Sequence, residues 1–588
     1  DQEVSISHDF TIGEWTVRVT GRMDALDTTS DPVRVKEIKT RFSAFNSREP
    51  APRPEELRQL ECYLVILSIQ QQEKDFVGEL IEVHAASGQR RVSRVTAPDA
   101  ETWIDTHVAC WVEWLEAILA SRERRRRLSI TFPHPTERHE QIDMRKAVEH
   151  AYEAGESLLL SAPTGTGKTA AVLTEALRLA AAEGCQLLWL TAKTPQQALP
   201  MALAASMSKE LRTVCFAAKE RCCINEVFFC HPHVCPHLQD EPTKMGQAWP
   251  DLLATQHWGR EQAMATGVTH SICPHLISKR QIDLADLVIA DYNYAFDPDS
   301  HFMQLTEATD RNNWFIVVDE AHNLPDRARD YFQGRLPRAE DPRFFLPIGH
   351  KIKKAMHDLR EELIAVQASW LEVFQPPVPH QRLDDVVIPM PLIEANRFEA
   401  LDRVSLEAAM AILMYLEGQD LEHIQAALNL TDEIRNFIKL TALPSLHQRT
   451  IVGYEHQQLA SPAKGSRRKK NAADLDLFAA MGEELSVPDP EETAKTPRNG
   501  KPRRWTDTVP ILKSLCLDAS DWLTSRHQDF RFAAFMSATL HPTDYYRQQL
   551  GLLDDKTMDV TIQQELSEHQ RQVLIVPSIS TVYRHRQS

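Results

Sequence analysis

Leu158-Leu-Leu-Ser-Ala162-Pro-Thr-Gly165-Thr166-Gly167-Lys168-Thr169 is the stretch on which the reading of this chain turns. An apolar, strand-sized run leads into a glycine-containing loop, and the helical pattern Ala170 to Leu179 follows it. That strand–loop–helix order is what a phosphate-binding loop requires. Gly165 and Gly167, with Thr166 between them, let backbone N–H groups wrap the phosphates of ATP; Lys168 reaches the β- and γ-phosphates, and Thr169 can bind Mg²⁺. Ala162 stands where the general pattern has its first glycine.

Outward from that loop, Phe315-Ile-Val-Val318 runs into Asp319-Glu320-Ala321-His322. An acid pair after a strand is commonly a solvated loop. Beside a loop of the Lys168 type it becomes the second half of an ATPase, with Asp319 holding Mg²⁺ and Glu320 orienting and deprotonating the attacking water. Strand-like runs at Ser157 to Ser161, Leu187 to Thr191, Asp286 to Ala290, Trp314 to Asp319 and Arg531 to Ser537 alternate with helical stretches, the pattern of an α/β fold with a mostly parallel sheet. Two interruptions break the alternation: one at about 212–276, rich in cysteine, and one at about 335–505. The second is mainly helical in pattern and closes in a Ser, Pro, Lys and Glu-rich stretch, Ala460 to Lys501, that reads as disordered.

The 588 residues exceed what one hydrophobic core supports, so three or more domains or subdomains are expected. With 43% hydrophobic residues and no apolar run near membrane-spanning length, a chain without membrane segments is expected. It opens at Asp1 without a secretion leader, so the biological start is expected to lie elsewhere and the setting to be cytoplasmic. Ten cysteines in that setting are metal-binding, buried or catalytic rather than paired. A net charge of −17 argues against general electrostatic adhesion to nucleic acid, so any DNA path is expected to be a local basic groove; the charge itself neither proves nor excludes DNA. The basic runs Arg122 and Arg124 to Arg127, and Arg467 to Lys470, read first as solvated charge.

Cys223, Cys230, Cys235 and Cys273, with six, four and thirty-seven residues between them, lie in the first interruption. Thiolates so spaced can close on one centre, either a [4Fe–4S] cluster or a structural zinc helped by His231, His233 and His237; the lack of a CxxC pair disfavours an ordinary zinc ribbon. Near the start of the chain, Asp24 and Glu37 on adjacent strands would share Mg²⁺ or Mn²⁺, and Lys39 would align or activate water. Gln59 and Tyr63, one helical turn apart, would face the same site.

Three resemblances join these pieces. The Asp-Glu-Ala-His box, with Ser537-Ala-Thr539, resembles superfamily 2 helicases; there Ser537 and Thr539 would couple nucleotide state to the grip on DNA, Arg138 and Gln141 would form the adenine-side motif, and Thr191 to Gln196 the first DNA-contacting motif. Lys219-Glu-Arg-Cys-Cys223, then Cys235-Pro-His, then Cys273-Pro-His-Leu leading to Asp291-Tyr-Asn-Tyr294, resembles the XPD/DinG family. That resemblance favours the [4Fe–4S] cluster over zinc, with Cys222 competing as first ligand. It also implies an arch domain in the second interruption, 5′ to 3′ movement on single-stranded or forked DNA, and work in DNA repair or processing. Gly21-Arg-Met-Asp24, Glu37-Ile-Lys39-Thr40 and Gln59-x-x-x-Tyr63 have the order of a PD-(D/E)xK nuclease and look RecB-like, implying a DNA exonuclease.

The expected architecture is a RecA-like motor domain with two insertions behind an α/β nuclease-like domain. Its divisions are 1–127 for the nuclease-like domain; 128–211, 277–334 and 506–560 for the first motor domain; 212–276 for the cluster; 335–505 for the arch; and 561–588 for the start of a second motor domain. The residues of that second motor which complete an ATP site, in Gly-x-x-x-Glu-Gly-x-Asp and Gln-x-x-Gly-Arg-x-x-Arg elements, do not occur in this sequence. A nucleotide-gated DNA-binding module, or a nuclease that ATP only regulates, are the rival readings.

Overall fold

Every second residue of the motor strands is apolar on each side, and the computed structural model shows why. It describes residues 2–41, 52–84, 87–231, 234–299, 311–373, 386–387, 395–416, 418–442, 448–456 and 508–563. Ala460 to Lys501, Arg467 to Lys470, His233 and the expected second-motor segment beyond 563 lie outside the described residues.

The chain begins with β1 (Gln2–Ile12), β2 (Trp15–Asp27), β3 (Val33–Arg41), α1 (Pro54–Gln70), β4 (Phe76–His84) and β5 (Arg90–Thr96). They form a five-stranded sheet in the order β1-β2-β3-β4-β5, antiparallel except where β3 and β4 run parallel across α1. Pro54 starts α1, where its missing N–H costs nothing, and Glu55 and Glu56 in the first turn suit the helix dipole. Leu60, Leu64 and Leu67 then fall on one face and are buried against the sheet.

The first module ends in two helices, α2 (Ala100–His107) and α3 (Ala109–Arg125), broken at Val108. The bend keeps Trp103 and Val108 in the first module's core while α3 runs on to the motor. There Arg125 is 5% exposed; it donates to Asp286 Oδ1 (3.1 Å), Gly184 O (2.9 Å) and Ala285 O (2.9 Å), and Arg124 adds a second bond to Asp286 (2.7 Å). Arg124 and Arg125 are therefore a clamp between modules rather than solvated charge, since a buried guanidinium needs its donors filled.

The motor sheet comprises β6 (Ser157–Ser161), β7 (Gln186–Thr191), β8 (Thr213–Cys215), β9 (His257–Trp258), β10 (Leu287–Asp291) and β11 (Trp314–Asp319). The later strands Phe532–Ser537 and Thr557–Thr561, β16 and β17 in chain order, complete it. All eight are parallel, in the order β17-β6-β16-β11-β7-β10-β8-β9. Leu158, Leu187, Trp189, Phe315 and Val317 face one core with α4 (His139–Ala154), α5 (Lys168–Glu183) and α6 (Ala198–Met207). Leu159, Leu188, Leu190, Ile316 and Val318 face the other. Burial on both faces is the reason these strands read as continuous apolar runs. The fold of this part is α/β, built on a parallel sheet.

Two expected divisions do not coincide with the sheets. β8 and β9 lie inside 212–276 yet pair with the motor sheet, so the insertion proper hangs from the sheet's edge rather than beginning at 212. The second insertion contains helices His350–Val373, Ala395–Met414 and Leu421–Ala442, with a four-stranded antiparallel sheet beside them. That sheet is formed by β12 (Gly334–Arg335), β13 (Val386–Val387), β14 (Gln448–His456) and β15 (Thr508–Cys516). β15 therefore belongs with the insertion, although the division at 506 would give it to the motor. The ladder from Gln448↔Cys516 to His456↔Thr508 outweighs its nearness in sequence to the motor strand Phe532–Ser537.

Candidate functional site

Three groups of side chains could do chemistry, and the strand ends position the first. β16 lies between β6 and β11, with Ser537 beside Ser161 and Met536 beside Asp319. The phosphate loop, the Asp-Glu-Ala-His box and the Ser-Ala-Thr segment thus emerge side by side at the carboxyl edge of the sheet, where doubly wound folds bind ligands. Gly167 has φ +82° and precedes α5; a Cβ there would come within 2.1 Å of Gln141 Nε2, so glycine is needed for both conformation and closeness. Gln141 is 4% exposed and accepts from the Arg138 amide (2.9 Å), while the Arg138 guanidinium donates to Gly165 O (2.9 Å). Both predicted adenine-side residues rest against the phosphate loop.

Lys168 is nearly buried and donates to Ala162 O (2.9 Å) and Pro163 O (3.2 Å), and Thr166 Oγ1 donates to Pro163 O (2.8 Å). Burial lowers the Lys168 pKa, opposed by Glu320 and Asp319. Burial raises the Asp319 carboxyl to about 6, with the Glu320 charge adding to it and the Glu320 amide (2.9 Å) and Lys168 opposing. A divalent cation there would relieve that unfavourable charge. Glu320 sits at φ +52°, a left-handed conformation that a non-glycine residue adopts at a cost and that gathers at functional sites. Ser537 Oγ donates to Glu320 Oε2 (3.1 Å) and lies 2.7 Å from His322 Nδ1. Sequence reasoning linked Ser537 to nucleotide state but did not foresee this direct contact with Glu320. Thr191 ends β7, is fully buried, and faces Lys193 O (3.3 Å).

The cysteines form the second group. Cys223, Cys230, Cys235 and Cys273 line one small cavity together with Asn225 and His237. Asn225 Nδ2 donates to Cys235 Sγ (3.2 Å), and the Cys273 amide donates to His237 O (2.9 Å). Cys222 turns away: it is buried and its thiol donates to Ala217 O (3.6 Å). Burial pushes the Cys273 thiol pKa up, and Cys230 and Cys235 add to this. Among the described residues, no group of three or more His, Cys, Asp or Glu side chains is arranged to hold a single metal ion. Four thiols on one cavity are a donor set that either a zinc ion or a [4Fe–4S] cluster could take.

The third group is in the first module. Ala25 pairs with Lys36 across β2 and β3, which sets Asp24 beside Glu37. Glu37 is 3% exposed; burial raises its pKa, the Lys39 ammonium lowers it, and the Asp24 charge raises it further. Lys39 Nζ donates to Glu37 Oε1 (2.7 Å) and to Gln59 Oε1 (3.0 Å), and Gln59 Nε2 donates to the Tyr63 hydroxyl (2.8 Å). Glu37 Oε2 is buried without a hydrogen-bond partner, an orphaned acceptor beside Asp24. The Asp24 carboxylate accepts from the Ile38 amide (2.6 Å). Tyr63 donates to Arg22 O (3.1 Å), and a Cβ at Gly21 would come within 2.7 Å of the Tyr63 ring, so the glycine three residues before Asp24 makes room for α1. The five predicted residues Asp24, Glu37, Lys39, Gln59 and Tyr63 come together. Sequence reasoning missed the buried ion network behind them, in which Arg41 donates to Glu56 (2.7 Å) and Glu82 (2.6 Å); isolated charges on a strand and a helix give no signal of pairing.

The module touches the insertion directly. Arg58, one residue before Gln59, donates to Asp240 Oδ1 (2.6 Å) and Thr243 Oγ1 (3.0 Å), and the Arg280 guanidinium lies 5.4 Å from the Trp114 ring centre.

Residues 191–339 match the DEAD_2 family model. A regulator of telomere elongation helicase 1 homolog from Caenorhabditis briggsae is 36% identical over 64 residues, 11% of this chain and 6% of the relative. The general transcription and DNA repair factor IIH helicase subunit XPD of Dictyostelium discoideum is 23% identical over 229 residues, 34% of this chain and 29% of the relative. A solved XPD helicase structure aligns over 73% of this chain and 63% of its own, at 13% identity and a TM-score of 0.44. The chain spans less than a third of the length of these curated relatives. No described helix is long and apolar enough to cross a membrane. Residues 191–339 thus form a DEAD_2 segment, and part of the chain is similar in sequence to helicase relatives.

Proposed function

We propose that this protein is an ATP-dependent DNA helicase that moves 5′ to 3′ on single-stranded or forked DNA, in DNA repair or processing in the cytoplasm. The observation that carries the reading is the convergence of Lys168, Asp319, Glu320 and Ser537 at one edge of the sheet; the DEAD_2 match over 191–339 supports it. Lys168 leaves its carbonyl partners for the β- and γ-phosphates of ATP, and amides of the Gly165–Gly167 loop fill the remaining phosphate oxygens. Asp319 and Thr169 would hold Mg²⁺, which would offset the phosphate charge. Glu320 orients a water and takes its proton, and its contact with Ser537 links the carboxylate to the neighbouring strand.

Cys223, Cys230, Cys235 and Cys273 would hold a [4Fe–4S] cluster, supported by their shared cavity. Bound there, the cluster would supply a redox-capable centre that ties four separated chain segments together. Asp24 and Glu37 would hold Mg²⁺ or Mn²⁺ of a nuclease, with Lys39 steering water, supported by the orphaned Glu37 oxygen. The test is ATP-driven displacement by the full-length protein from duplexes carrying a 5′ or a 3′ tail, with Lys168→Ala as control. Displacement from the 5′-tailed duplex alone is expected. DNA-stimulated ATP turnover without displacement would instead make the protein a nucleotide-gated DNA-binding module.

A further inference from the structure

The turn after β10, Asp291-Tyr-Asn-Tyr294, has no part in the chemistry described, yet its side chains reach both the acid pair and the root of the cysteine insertion. Tyr292 is 2% exposed, and its hydroxyl lies on the carbonyl oxygens of Asp319 and of Glu320, the latter at 2.9 Å. These carbonyls belong to the two residues whose carboxylates face Lys168, and one of them is the residue held at φ +52°. Two positions on, the Tyr294 hydroxyl donates to Ala217 O (3.2 Å), the carbonyl that the Cys222 thiol also meets at 3.6 Å. The Tyr294 ring stands edge-on to Phe216 (4.8 Å), and Phe216 stands edge-on to His275 (5.0 Å). Phe216 leads into Cys223 and His275 follows Cys273, so one aromatic group touches the chain on both sides of the cavity. Asn293 closes the arrangement, its Oδ1 accepting from Tyr331 (2.8 Å) and Arg327 (3.1 Å) in the helix after the acid pair.

We propose that Tyr292 is a positioning residue for ATP hydrolysis and that the Tyr292–Tyr294 turn carries nucleotide state from the acid pair to the cysteine insertion. The inference rests on the ATP site proposed above. A buried hydroxyl that loses its acceptors is costly, so when the Glu320 backbone shifts on binding nucleotide, Tyr292 follows. Tyr294, on the same short helix Asn293–Phe296, then shifts against Ala217 and Phe216. Contact alone does not establish coupling, which has to be read from a response at both ends.

Two variants test it in the whole protein. Tyr292→Phe keeps the buried ring and removes the hydroxyl; kcat for ATP should fall about tenfold with KM for ATP within about twofold, since the lost bond aligns Glu320 and does not bind phosphate. Tyr294→Phe should leave ATP turnover without DNA unchanged. In wild-type protein, Mg²⁺ with ADP and beryllium fluoride should alter amide hydrogen exchange at 162–169 and also at 214–223. In Tyr294→Phe the first response should persist and the second should fall at least threefold. A full response at 214–223 in that variant, or wild-type kcat in Tyr292→Phe, would overturn the proposal. If 162–169 in the wild type does not respond to nucleotide, the ATP site itself is misassigned and the inference goes with it. If 162–169 responds and 214–223 does not, the ATP site stands and only the coupling is wrong.

Discussion

Two acid pairs among the described residues could hold a divalent cation, and they are built in different ways. Asp319 and Glu320 are consecutive at the carboxyl end of one parallel strand, and burial, with the adjacent Glu320 charge adding to it, drives the Asp319 carboxyl up to about 6. Asp24 and Glu37 come from different strands, thirteen positions apart, brought side by side by antiparallel register, and Lys39 neutralises part of the Glu37 charge at 2.7 Å. The first pair is strained and short of positive charge until metal and nucleotide arrive. The second already has the Lys39 ammonium beside it, although burial and the Asp24 charge still raise Glu37 and one of its oxygens stays orphaned. The difference suits a site that must respond to a ligand on the one hand and one that only has to hold it on the other.

If the pairs are as distinct as this, they should fail independently. Asp24→Ala or Glu37→Ala should lower Mn²⁺-dependent DNA cleavage by about 10³-fold while DNA-stimulated ATP turnover stays within about twofold. Turnover falling in step with cleavage would show that the two sites are one functional unit. A smaller but still large effect is expected in the segment between them. Cys235→Ser should remove the roughly four irons per chain expected of a cubane, whereas Cys222→Ser should retain them, because Cys235 lines the cavity and Cys222 does not. One zinc and no iron in the wild-type protein would contradict the cluster.

The smallest effect is one of pH. A folded-state pKa for Asp319 of about 6, above its ordinary 3.8, means that the folded protein holds this proton more tightly than the unfolded chain. The stability associated with it is therefore present at low pH and is lost as pH rises from about 4 through 6. Asp319→Asn should then stabilise the nucleotide-free protein at pH 7.5 by on the order of 1–2 kcal/mol, after allowance for partial exposure, and by nothing measurable at pH 3.5. In the wild type, the Mg²⁺ concentration needed for half-maximal ATP turnover should rise as pH falls below about 6. Equal melting temperatures for the variant and wild type at pH 7.5 would place Asp319 in an ordinary, solvated setting.

How much of this was legible depended on whether a feature is contiguous. The run into Lys168 and the run into Asp319 name their strands almost to the residue, because burial on both faces writes an uninterrupted apolar code. The order Gly21, Asp24, Glu37, Lys39, Gln59, Tyr63 was legible as a spacing, though the reason for Gly21, the closeness of the Tyr63 ring, is a tertiary fact. Cys222 and Cys223 could not be separated by spacing, since neighbours in sequence differ only in which way the chain turns them. Arg124 and Arg125 read as a solvated run because their partners, Asp286, Gly184 and Ala285, are distant in sequence. The strand Thr508–Cys516 falls within the expected motor division 506–560 yet pairs with Gln448–His456 for the same reason: strand pairing is long-range, and nothing local marks the partner.

The central claim is that Glu320 acts on water after ATP is bound, and Glu320→Gln measures it most directly. The amide keeps the size and the contact with Ser537 but cannot take a proton. Binding of Mg²⁺·ATP to this variant should stay within about threefold of wild type, while turnover in the presence of DNA should fall by at least about 10³-fold. Turnover within about twofold of wild type, with ATP still bound, would contradict the account.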